Sequence, residues 1–345
     1  MLVLAGLAAI MLAVLILPFS VKKVEEQLEV FLFIMGCAAV TLTSQWNSGL
    51  IKEALLAPLK ITAAVLVAGL LFNLLKKPIA KHLNAFIRLT GIRTFIFLLV
   101  VLLGLLSSVI TAIIAALLLV EIIEHLKLER KTEIKVVVMA CFSIGMGAAL
   151  TPLGEPLTTI AIAKLKDLTP PADFWFFVRH LGLQIVLGVM GIGIATLFMT
   201  GRLNRSEDGH KEENSEATKD VIIRTAKVYL FVMALIFLGT GFKPIVDEYV
   251  SKISYQIIYW LNMISAILDN ATLAAAEIGP SMSILQIKSA ILGLIIAGGM
   301  LIPGNIPNII SAGKLKIKSK EWAVIGVPVG LAIMLIYFVI IELFG

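Results

Sequence analysis

The chain has 345 residues, 59% hydrophobic and only 15% charged, well below the ~25% charged content of soluble domains. Its mean hydropathy of +1.00 is more than a water-soluble fold of this length can hide, and a bilayer is the solvent that accepts it. The net charge of +6 comes from Lys and Arg set between apolar runs, without a basic face interleaved with aromatics, so nucleic acid is not an expected partner.

Spanning the hydrocarbon core takes ~20 apolar residues in a helix. Plain candidates are 2–19, 28–44, 59–75, 174–200, 222–242 and 322–343. The first has no basic stretch before it and no small-residue cleavage site after it, so it reads as a retained helix. Two further runs carry polar residues at their centres. Residues 94–123 hold Ser107, Ser108 and Thr111, and residues 255–278 hold Leu268-Asp269-Asn270. Two more are split by proline: 136–163 at Thr151-Pro152-Leu153-Gly154-Glu155-Pro156, and 285–313 at Pro303-Gly304-Asn305-Ile306-Pro307. Proline lacks an N–H and clashes with the preceding turn, so these helices are expected to break.

Basic residues set the topology. Segments 76–93 and 124–135 are both rich in Lys and Arg, yet a single apolar run lies between them. Both fall on the cytoplasmic side if 94–123 is a re-entrant hairpin with its tip near Ser108–Thr111. Treating 255–278 in the same way gives a second hairpin, entering from the other face. The expectation is an all-α polytopic membrane protein with about eight transmembrane helices, two re-entrant hairpins and two proline-broken helices. The alternative is ten plain crossings. Residues 1–45 form two N-terminal membrane helices, 59–200 a first transport repeat, 201–220 a polar cytoplasmic linker and 221–345 a second, inverted repeat. An offset of 150 sets Gly154 on Gly304, Glu155 on Asn305, Thr158 on Asn308 and Lys164-Leu165-Lys166 on Lys314-Leu315-Lys316.

Inverted repeats with broken helices are secondary-transporter architecture, with the binding site where the breaks meet near the midplane. An ionisable residue at that depth is costly and marks function by default. Asp269 and Asn270 at the second hairpin tip, and Glu155 at the first break, are therefore ion-binding candidates. Helix capping is the alternative role for each. Asn305 and Asn308 offer amide groups, and Ser108, Thr111, Thr151 and Thr158 offer hydroxyls, which in membrane helices also serve packing. Glu121 and Glu277 lie two to three turns from the tips, on the return arms, and are weaker candidates. Gly145, Gly147, Gly298 and Gly299 read as close-packing positions. Cys37 and Cys141 sit in apolar runs and support no disulfide framework. The four histidines show no metal-type spacing, so no metal site is expected. His-Glu-x-x-His, a paired Asp motif and a Ser/His dyad are all missing, which argues against an intramembrane enzyme.

Ser265-Ala266-Ile267-Leu268-Asp269-Asn270-Ala271-Thr272 resembles the hairpin motif of the ion transporter superfamily. That group includes NhaD-type sodium/proton antiporters, arsenite permeases and divalent-anion:sodium symporters. Thr151 to Pro156 is similar to its Gly-Asp-Pro-type motif, with Glu155 where Asp is usual. The resemblance covers roughly 59–343, and is nearest to a small, largely uncharacterised prokaryotic group described as cation transporters. It implies a transport domain moving against a scaffold, commonly in a homodimer, with ion coupling at the hairpin tips. The first hairpin departs from it, reading Ser107-Ser108-Val109-Ile110-Thr111-Ala112 without an Asp-Asn or Asn-Thr pair, and the chain is shorter than most relatives. The expected function is cation/proton (Na+/H+) antiport in the cell membrane, with lipid and small inorganic ions as partners and no cofactor. Sodium-coupled symport of a dicarboxylate or oxyanion is the alternative.

Overall fold

The computed structural model describes residues 2–21, 23–24, 27–56, 58–59, 62–63, 66–67, 87–200, 218–267 and 270–344. The expected helix 59–75 lies largely outside the described residues, as do 201–217 of the linker, Leu268 and Asp269. Among the described residues the fold is helical, without a strand. The chain order is α1 Leu2–Ser20, α2 Leu28–Leu42, α3 Ile92–Ile110, α4 Ala112–Leu126, α5 Arg130–Ala148, α6 Pro156–Lys164 and α7 Phe176–Thr200. It continues with α8 Thr218–Glu248, α9 Tyr255–Leu261, a 3-10 turn Asn262–Ala266, α10 Asn270–Glu277, α11 Ile284–Gly298, α12 Ile306–Lys314 and α13 Ser319–Phe344. Among the described residues four stretches are helical, long and apolar enough to cross a membrane: Ile92–Ile110, Phe176–Thr200, Thr225–Pro244 and Ser319–Phe344.

The helices begin and end where local chemistry dictates. Ser283 and Gln286 form a reciprocal capping box at the start of α11, each satisfying the other's backbone N–H. Pro156 and Pro307 sit in the first turns of α6 and α12, where a missing N–H costs nothing. Between α3 and α4 stands Thr111, with φ 76° and ψ 149°, a conformation that a β-branched residue rarely adopts. Its hydroxyl accepts from Ile114 N at 3.4 Å and so caps α4.

α3 and α4 make a hairpin whose tip is Thr111. Ser143 Oγ donates to Val100 O at 2.8 Å, and eight residues on in both segments Thr151 Oγ1 donates to Ser108 O. The constant offset means α3 and α5 run parallel. α4 starts beside the far end of α5, where Ala112 N donates to Gly154 O at 2.8 Å, and ends three residues before α5 begins. α4 is therefore antiparallel to both. The second hairpin is built alike. Asn262 Nδ2 donates to Ala290 O at 3.3 Å and Ser265 Oγ to Leu294 O at 3.0 Å, so α9 and its 3-10 turn run parallel to α11. α10 then returns to the loop before α11.

α5 and α11 are the centre of the molecule. Nearly every residue from Val136 to Ala148, and from Ser289 to Gly298, is buried whichever face it occupies. α7 and α13 flank them, with Tyr337 Oη donating to Gln184 O at 2.6 Å and Leu183, Phe198, Val339 and Phe344 exposed outward. α8 packs along α2, where Gly36 lies against the Ala234 carbonyl and Gly241 against Ala39. The two halves exchange contacts: α6 packs on α10, and α12 packs on α4.

Candidate functional site

The two proline breaks have the same backbone. α5 ends at Ala148 and α11 at Gly298; α6 and α12 begin eight residues later and each has nine residues. Glu155 and Asn305 hold the positions before the half-helices, at φ/ψ of −155°/160° and −152°/146°. A side chain on Gly154 would run into the Ala148 carbonyl, and one on Gly304 into the Gly298 carbonyl, six residues back in both cases. Each break is stapled by a side chain three residues into its half-helix. Thr158 Oγ1 donates to Thr151 O at 2.9 Å, and Asn308 Nδ2 donates to Leu301 O at 2.8 Å and Gly298 O at 2.9 Å. These bonds tie the half-helix back to the carbonyls of the break, two of which, Thr151 O and Leu301 O, also accept the backbone N–H of Gly154 and Gly304.

The hairpin tips close onto the breaks, and one cavity of about 390 Å³ lies where they meet. Four of its polar lining residues come from the hairpin tips and breaks: Thr111 of the first hairpin, Glu155 of the first break, Asn270 of the second hairpin and Asn305 of the second break. The N-termini of α4, α6, α10 and α12 all border it, so four positive helix-dipole ends share one chamber. Glu155 is 5% exposed, Asn270 3% and Asn305 2%. Neither Glu155 nor Asn305 makes a capping bond with its side chain, although each holds the capping position. Asn270 Nδ2 and Asn305 Nδ2 are buried with no protein partner, at a cost of about 1–3 kcal/mol each unless a ligand or water supplies one. Gly145 opposite leaves room for the Asn305 amide, which lies where a Cβ would otherwise stand.

The other expected site residues sit behind this lining. Ser108 Oγ donates back to Leu105 O at 2.7 Å, and Thr151 ties the first break to the first hairpin. Thr158 and Asn308 are the staples, with Asn308 Oδ1 left without a partner. Asp269 lies outside the described residues. One wall went unanticipated. Glu29 of α2 and Lys227 of α8 face the cavity and form an ion pair at 3.5 Å. Nothing local in the sequence signals a partner 198 residues away.

The fold and site define an all-helical chain, with helices apolar enough to cross a membrane, gathered around a break-lined chamber. The chain belongs to the family described as Protein of unknown function (DUF1646), whose model matches residues 4–344. No curated protein matches it.

Proposed function

We propose that this protein is a multi-pass carrier of the cell membrane that exchanges a cation, sodium first among candidates, for protons by alternating access. The observation that carries this reading is the shared cavity: four interrupted segments meet around buried Glu155, and the basic residue in the described lining, Lys227 of α8, is paired with Glu29. Broken helices are tolerated at membrane depth where their backbone lines such a chamber. Glu155 and Asp269 are the carboxylates that alternate between proton and cation. Asn270 and Asn305 supply amide groups beside them.

Side-chain contacts support inverted repeats. Arg130, at the start of α5, donates to Leu315 O at 2.9 Å and Lys316 O at 3.0 Å, just past the end of α12. It also pairs with Glu321 at 3.1 Å. α5–α6 and α11–α12 therefore run in opposite directions. At the other end Lys166 pairs with Glu53 at 3.3 Å. A topology of eight crossings and two re-entrant hairpins places the Arg130 cluster in the cytoplasm and the Lys166 pair outside. In that topology Ile92–Ile110, though long enough to span, is one arm of a hairpin. A homodimer with the exposed flanks of α7 or α13 at its interface fits the resemblance noted above.

Sodium-coupled anion symport is the second reading, favoured by the four helix N-termini and the two unpartnered amide N–H groups. Proteoliposomes loaded with a pH dye separate the two. Antiport requires a sodium-evoked proton flux that vanishes in Glu155→Gln and Asp269→Asn. A flux untouched by both substitutions would overturn it, and sodium-driven uptake of an oxyanion or dicarboxylate without counter-moving protons would establish the symporter.

A further inference from the structure

A second cavity, of about 200 Å³, lies at the opposite end of α6. α6 thus carries Glu155 at the mouth of one chamber and Lys164, nine residues on, in the wall of the other. α8 borders both, with Phe231 in the first and Val232 in the second. Between them Val232 packs with Ile113 and Leu117 in a small apolar cluster, a dry partition. The second chamber is the more charged, with Glu53, Lys164, Asp167 and Lys243 in its lining.

The Lys164 ammonium is set in this chamber as an ion would be. Nζ donates to the Gly239 carbonyl at 3.2 Å and to the Ala275 carbonyl. These two oxygens come from α8 and α10, so the lysine bridges three elements. The Glu277 side chain lies within electrostatic reach of Lys164 and accepts a hydrogen bond from Asn262 Nδ2 at 2.8 Å. Gly239 is small where the ammonium arrives: a Cβ there would stand in contact with both Nζ and the Ala275 oxygen. Backbone carbonyls with a carboxylate beside them are the ligand chemistry of hard cations.

We propose that the Gly239 and Ala275 carbonyls, with Glu277 beside them, form a second monovalent-cation site at the far end of α6, which the Lys164 ammonium occupies as a tethered ion until a transported cation displaces it. The transported cation belongs to the antiport reading above; the site itself stands on these contacts. Removing the tethered charge while keeping the apolar stem empties the site. Lys164→Met, as purified full-length protein, is expected to bind a further sodium ion per chain over wild type in equilibrium binding with radioactive sodium. Lys164→Met/Glu277→Gln loses that ion again. Glu155→Gln/Lys164→Met retains it, so the count is read even if wild type shows no sodium-evoked proton flux and the antiport reading fails. Equal sodium counts in wild type and folded Lys164→Met overturn the proposal. Should that variant not fold, the unmutated protein decides. Acetylation of Lys164 by an amine-reactive ester, read by peptide mass spectrometry, is expected to rise several-fold in sodium chloride over choline chloride, and equal labelling overturns the proposal.

Discussion

The break at Glu155 and the break at Asn305 share a backbone but not a chemistry. Glycine and an extended residue recur at the same spacing, the prolines are shifted by one residue, and the half-helices have the same length. The side chain at the apex is an acid in one and an amide in the other. The staple is a hydroxyl holding one carbonyl across the first break and an amide holding two across the second. Geometry and charge are thus separable: the interrupted helix is a frame used twice, and ionisable chemistry is written into one copy.

Changes to the shared frame test the first half of that statement and have the largest expected effect. Gly154→Val and Gly304→Val each push a side chain into a carbonyl of the preceding helix, and each is expected to cost about 3 kcal/mol or more. Size-exclusion chromatography should show loss of monodisperse protein for both, and normal folding of either would dissolve the equivalence of the breaks. Next comes the charge. Glu155→Gln is expected to lower sodium-evoked proton flux about 100-fold, equal to roughly 2.8 kcal/mol, with little change in thermal midpoint. Asn305→Leu, which preserves the frame and carries no charge in either form, should be far milder in the same flux assay, and equal losses would erase the asymmetry.

The staples give smaller effects and a ranking. Asn308→Ala removes both amide hydrogen bonds to the break's carbonyls and is expected to cost about 2–3 kcal/mol, whereas Thr158→Val removes the single proton a hydroxyl can donate and costs about 1 kcal/mol. Thermal unfolding in detergent reads the order, and a reversed order would mean the two staples are not counterparts. The smallest effect lies away from both breaks. Arg179 donates to exposed Asp173 at 2.6 Å and holds its carboxyl below the usual carboxylate range. A lowered value in the folded state contributes stability that is present above the ordinary carboxylate value near 4 and fades as pH falls below it. Asp173→Asn should remove that slight acid-side dependence from the thermal midpoint and leave flux unchanged.

Much of the frame could be read from the chain because membrane helices must be apolar, so departures stand out. The proline pairs put the interruptions at 151–156 and 303–307, and both half-helices begin there. Ser107 to Thr111 marked the first hairpin tip, but the residue that turns it is Thr111, with a backbone angle that favours glycine and that no propensity assigns to threonine. Composition also placed Glu155, Asn270 and Asn305 among the candidates without telling which polar groups line the chamber and which bind backbone. Ser108, Thr151 and Thr158 look the same as Thr111 in sequence. Their partners are carbonyls, one of them 43 residues away, and only tertiary packing shows that. The contacts of Lys164 with Gly239 and Ala275, and of Glu29 with Lys227, were beyond sequence for the same reason: the partners lie 75 to 198 residues apart.

The exchange of contacts between halves bears on how the chain is made. α6 rests on α10 and α12 on α4, so the first half leaves the ribosome with its broken segment facing a neighbour that does not yet exist. Until residue 310 or so has been synthesised, the chamber at Glu155 lacks the walls that Asn270 and Asn305 complete. Biogenesis therefore has to hold the early half in a sheltered or shallow position and complete both chambers in a single late docking event.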